Sequence, residues 1–130
     1  MKVFLSIILL STLAFAAKKP VPVVDKDYIL ALSAADHLMQ AWQTGDLEAG
    51  VVMLTDAAKQ GTSEDQLDEF FAADKLGTRG FELTHGKKLE AGKYDFPVAL
   101  FEGKGKPPRL SHLIVIKESK NEWVVDSLPQ

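Results

Sequence analysis

The chain contains no cysteine in its 130 residues. That absence excludes disulfides, thiol catalysis and thiolate metal sites, so stability must come from packing alone. Histidine is scarce too. The three present, His37, His85 and His112, stand too far apart for a His-x-x-x-His metal pair, and no acidic calcium loop occurs. No metal and no cofactor are therefore expected. Charge of one sign is missing as well: 15 Lys and Arg stand against 18 Asp and Glu, a net charge of −3. So mild a balance gives no general attraction to nucleic acid or anionic lipid. Nothing repeats, and no segment is of low complexity. Gly103-Lys104-Gly105-Lys106 lacks the strand-to-helix setting of a phosphate loop, since Pro107, Pro108 and another strand follow it. It reads as a solvated hairpin tip.

One uncharged apolar run is present, Val3 to Phe15, and it is shorter than the about 20 residues that span a bilayer. Lys2 precedes it, and Ala14-Phe15-Ala16 places small residues where a signal peptidase requires them. Residues 1–16 are expected to be a signal peptide cut near Ala16, which makes the product periplasmic or secreted with no stable membrane anchor. Pro20 and Pro22 keep residues 17–24 out of a helix, as an extended leader. Residues 17–130 are one domain's worth, enough to bury about two-thirds of the unfolded surface, and the single folded domain is expected over 25–130.

Asp25 can cap a helix in which Tyr28, Leu32, Ala35, Met39 and Trp42 recur at spacings of four and three. Gly45 can close it in the left-handed conformation. Asp46 caps a shorter helix with Leu47, Val51 and Leu54 on one face. Ser63 and Gln66 have the spacing of a capping box, and Leu67, Phe70, Phe71 and Leu76 give a third helix its apolar face up to Gly77. After Gly80 the period becomes two. Phe81, Leu83 and His85 share a phase; so do Tyr94, Phe96, Val98 and Leu100, then Leu110, His112, Ile114 and Ile116, and a last strand runs from Trp123 to Leu128. Short links predict an antiparallel sheet. The expected class is α+β: three N-terminal helices packed on a curved sheet of about four strands.

This order, with Ala41-Trp42-Gln43-Thr44-Gly45-Asp46-Leu47-Glu48 at the helix junction and Glu122-Trp123-Val124-Val125-Asp126-Ser127-Leu128 in the last strand, resembles the nuclear-transport-factor-2-like superfamily, a cystatin-like α+β cone. Similar segments recur in small secreted bacterial members with no assigned activity. The short strand usual between the second and third helices has no clear counterpart in Thr55 to Thr62. The resemblance implies a fold that hosts isomerases, dehydratases, transport adaptors and plain binding modules, so chemistry has to be argued from the site.

Enzymes of that superfamily place Asp, His or Tyr inside the cone, which makes Asp36, His37, Asp56, His85, Tyr94 and His112 the residues to weigh. His37 falls opposite the apolar stripe and should face solvent, and its neighbour Asp36 cannot form a dyad with it on a helix. Asp56 suits a helix end. His85 and His112 are in phase with apolar strand residues and could point inward, His112 with the stronger claim because its strand is the more apolar; the simpler reading, which is preferred, leaves each near a strand end, half exposed and bonded to water or backbone. Met39, Trp42, Phe70, Phe96 and His112 are the side chains expected around a cone cavity, should one be open. Lys87, Lys88, Lys93, Lys104, Lys106 and Arg109 gather positive charge in the sheet half, a polarity able to orient a protein partner. Two functions follow. One is a noncatalytic exported domain that binds a small apolar ligand or a protein partner, a second copy docking through the sheet included. The other is an isomerase or hydro-lyase that uses an inward His with a carboxylate.

Overall fold

Asp25 starts the first helix by accepting the Asp27 N–H at 3.0 Å, and α1 runs over Lys26–Thr44. Gly45 ends it at φ 70°, a left-handed turn that lets the Gly45 and Asp46 N–H groups close back on Trp42 and Ala41. The computed structural model describes residues 25–72 and 79–129. The expectations for the signal segment, the leader, Leu76 and Gly77 lie outside those residues. Three short helices follow: α2 (Leu47–Val51), α3 (Asp56–Gln60) and α4 (Glu64–Phe70). Asp46, Thr55 and Ser63 cap them, and Ser63 with Gln66 forms the full reciprocal box. Four helices therefore stand where the periodicity predicts three. The extra one is a single turn, too short to carry a stripe, and its signal is the cap, Thr55 Oγ1 accepting the Ala58 N–H at 2.9 Å.

The sheet is antiparallel and curled, with strands β1 (Gly80–Leu83), β2 (Lys87–Glu90), β3 (Lys93–Phe101), β4 (Arg109–Ser119) and β5 (Glu122–Val125). The order is β1-β3-β4-β5, and β2 also pairs with β3. Strands β1 and β2 lie end to end along one side of β3, opposite Val98–Phe101 and Lys93–Asp95 respectively. All of β2 is exposed, so its sequence carries no alternation from which to predict a strand. The strand missing between the second and third helices survives as one parallel bridge, Leu54 to Val125: Thr55 N–H donates to the Val125 carbonyl at 3.0 Å, and Val125 N–H to Met53 at 2.7 Å.

The core lies between α1 and the inner sheet face. Ala31, Ala35, Leu38, Met39 and Trp42 meet Phe96, Val98, Leu100, Leu113, Val115 and Val125, all buried. Alanines on α1 let the helix sit close to the strands, and each large side chain sealed there contributes about 1.5–3 kcal/mol. On β4 the expected phase is reversed. Ser111, Leu113 and Val115 face the core, while Leu110 is 77% exposed and His112 is exposed with it. Both phases of that strand are apolar, so alternation alone cannot choose between them. Among the described residues, no helix is long and apolar enough to cross a membrane.

Candidate functional site

A cleft of about 470 Å³ opens where the end of α1, helices α3 and α4, the β3–β4 ends and the segment after β5 converge. Its floor is aromatic. Trp42 comes from the last turns of α1, and Phe70 from α4 lies 6.3 Å from it between ring centroids. Phe71 braces Phe70 edge-on at 4.8 Å. Gly50 makes room for the Phe71 ring, because a Cβ there would overlap it.

Charged groups ring this floor. Arg79 is 7% exposed, its guanidinium 4.9 Å from the Trp42 ring centroid, and its Nη1 donates to the Trp42 carbonyl at 2.7 Å. That carbonyl belongs to the negative end of α1, which favours a cation. Gln43 Nε2 in turn donates to the Arg79 carbonyl at 3.2 Å, strapping the entry to β1 onto the helix end. Across the cleft Arg109 donates to Glu102 at 3.0 Å, closing the mouth of the β3–β4 loop. Asp126 accepts the Thr55 hydroxyl at 2.9 Å, a position set by the parallel bridge at Val125. Glu69 lines the α4 side. Two guanidinium groups and three carboxylates thus surround an aromatic floor. No histidine, tyrosine or lysine is among the described residues that line it.

Of the expected cavity residues, the structure brings Trp42 and Phe70 together in this cleft. Met39 and Phe96 are fully buried in the core beneath the sheet. His112 does not line a cavity: its side chain is 64% exposed on the outer sheet face, where Nδ1 lies 2.9 Å from Asp95 Oδ1. His85 is also exposed. Strand β1 ends at Leu83, and His85 sits in the following loop, stacked on Tyr28 at 5.3 Å with Nδ1 3.3 Å from the Tyr28 hydroxyl. That hydroxyl accepts the Gly86 N–H at 3.0 Å. Asp56 heads α3 in solvent, 3.5 Å from Lys59. His37 faces solvent, and Asp36 accepts from Gln40 one turn on. No three metal-ligating side chains cluster among the described residues.

Tyr94 lies away from the cleft and has a structural partner. Its hydroxyl donates to Asp25 at 2.9 Å, tying β3 to the start of α1. Burial, reinforced by the Asp25 carboxylate, pushes the Tyr94 phenol up to about 12. The same hydroxyl, then the Asp27 N–H, holds the Asp25 carboxyl below its ordinary range. A second, more apolar groove of about 480 Å³ runs between α1 and β1, bounded by Ile29, Leu32, Ser33, Asp36, Phe81 and Leu83.

Sequence reasoning did not single out Arg79, Glu102 or Glu69 for this site. For Arg79 a signal existed: it shares the phase of Phe81 and Leu83, which puts it on the inner face. Glu102 and Glu69 reach the cleft through a loop and a short helix whose pattern carries no such information.

No family model matches the chain, and no curated protein matches it. Among solved structures it is similar to a ketosteroid isomerase-like protein from Erwinia carotovora atroseptica SCRI1043, with a TM-score of 0.58 and 14% identity over 80% of this chain and 94% of that one. The likeness is one of fold, and it agrees with the curled antiparallel sheet closed on one face by helices: the chain has the nuclear-transport-factor-2-like fold.

Proposed function

We propose that this chain is a binding domain that holds a small molecule in the cleft over Trp42 and Phe70. The observation that supports it best is the arrangement there: an aromatic floor inside a ring of Arg79, Arg109, Glu69, Glu102 and Asp126. Such a site takes the apolar body of a ligand on the rings and its polar groups on the rim. Leu38, Met39, Phe96, Leu100 and Leu113 are sealed in the core, and the cleft beside them offers room for a guest. An isomerase or hydro-lyase built on an inward His with a carboxylate finds no histidine in this cleft. The one close His–carboxylate pair among the described residues, His112 with Asp95, lies on the outer sheet face.

The test is calorimetric titration with a panel of small aromatic acids and amines, on the native chain and on Glu69→Gln and Arg109→Gln variants. Binding at micromolar to millimolar levels, weakened tenfold or more by one of the two rim changes, is the expected result. Binding to none of the panel, or binding indifferent to both changes, contradicts it. We also propose export directed by residues 1–16. N-terminal sequencing of protein from its host should start near Ala17, and an intact Met1 would refute that reading.

A further inference from the structure

The charges around the cleft are not equivalent once their partners are considered. Both cations are engaged. Arg79 is nearly sealed, lies over the Trp42 ring and donates to the Trp42 carbonyl at 2.7 Å. Arg109 donates to Glu102 at 3.0 Å, which occupies one of the three carboxylates. The other two, Glu69 and Asp126, enter none of the ion pairs among the described residues. Asp126 is half-buried, and the Thr55 hydroxyl donates to its Oδ1 at 2.9 Å. That bond uses part of the acceptor capacity of the carboxylate and leaves room for a second donor. The uncharged part of the lining has the same polarity. Helix α1 ends at the cleft, with Trp42 in its last turn, and that negative end carries no basic residue of its own helix. Half-buried Phe70 adds a ring whose face is negative too.

From this imbalance we infer that the cleft selects an organic cation, an ammonium group on a small apolar or aromatic body. The ammonium is taken by Glu69 and Asp126, and the body lies against Phe70. This rests on the binding role proposed above and adds the charge of the guest. An anion has no comparable place. It would have to take Arg109 from Glu102 or Arg79 from the Trp42 carbonyl, and either exchange strands the group left behind.

Calorimetric titration at neutral pH with three probes that share a phenyl ring and differ in charge tests this: 2-phenylethylamine, 2-phenylethanol and 3-phenylpropanoate. The amine should bind at least tenfold more tightly than the other two, and added salt should weaken it more than the alcohol. Glu69→Gln and Asp126→Asn should each weaken the amine tenfold or more and leave the alcohol unchanged. The Asn keeps an acceptor for Thr55, so circular dichroism should keep its wild-type form. Arg109→Gln frees Glu102 and should tighten the amine threefold or more, a gain that a mere change of shape does not produce. Acid or alcohol binding as tightly as the amine overturns the inference while the binding role stands. Weakening by Arg109→Gln, with no effect of either carboxylate change, does the same. Binding of none of the three probes, nor of the wider panel of acids and amines, removes the binding role and the inference with it.

Discussion

Tyr94 and Asp25 show how two side chains set the pH limits of this fold. The Asp25 carboxyl is held below its ordinary value of 3.8, so its contribution is present above that pH and is lost as the pH falls further. The Tyr94 phenol is raised from 10.0 to about 12, so its contribution is complete below pH 10.0 and is lost as the pH rises through about 12. Denaturant titrations of the wild type between pH 10 and 12 should show falling stability. Tyr94→Phe should remove that slope, and in NMR titrations it should move the Asp25 carboxyl back toward 3.8. An unchanged slope would contradict the assignment. Gly86 sets a second limit, of space. A Cβ there would overlap the ring of Phe96, which is itself fully buried, so Gly86→Ala should cost about 1–3 kcal/mol in chemical denaturation. A cost near zero would mean that the loop carrying His85 can move aside. Trp123 has a buried indole Nε1 with no hydrogen-bond partner among the described residues. Trp123→Phe removes that donor together with some packing, so its cost should stay under about 2 kcal/mol, below the usual loss for a large core side chain.

Helices owe their limits here to caps that are plain in the sequence. Asp25, Asp46 and Ser63 accept the N–H groups expected of them, and Gly45 makes the left-handed stop. Ser63→Ala should cost about 1 kcal/mol by thermal or denaturant unfolding, and because α4 has no fully buried residue, the loss should loosen Phe70 before it unfolds the core. Hydrogen exchange would register this as faster exchange in Glu64–Phe70, with the sheet unaffected. Uniform acceleration across the chain would contradict it. Alternation found β3 correctly because its outward positions include Lys93, Asp95 and Pro97. It misplaced β4 because Leu110, Leu113, Ile114, Val115 and Ile116 satisfy either phase, and only the pairing of Phe96 with Leu113 decides between them. With that phase went the inward alternative for His112. The cleft was half legible: Trp42 and Phe70 follow from helical stripes, but the groups on its rim meet through loops and through a bridge 71 residues apart in sequence, Thr55 to Asp126. No local pattern encodes such a meeting.

At the scale of the whole molecule, the packed core leaves concave surfaces at the cleft over Trp42 and Phe70 and at the groove between α1 and β1. The two tryptophans report on different places: Trp42 lines the cleft, while Trp123 packs 5.7 Å from Tyr94. The most direct test of the binding role is a titration of the isotope-labelled protein followed at both indole N–H resonances, with the panel of small aromatic acids and amines. A ligand seated in the cleft should shift the Trp42 resonance and the amides of Phe70 and Asp126, and leave Trp123 in place. Saturating shifts confined to Trp123, His85 or His112, or no shift with any of the panel, would contradict a binding site over Trp42.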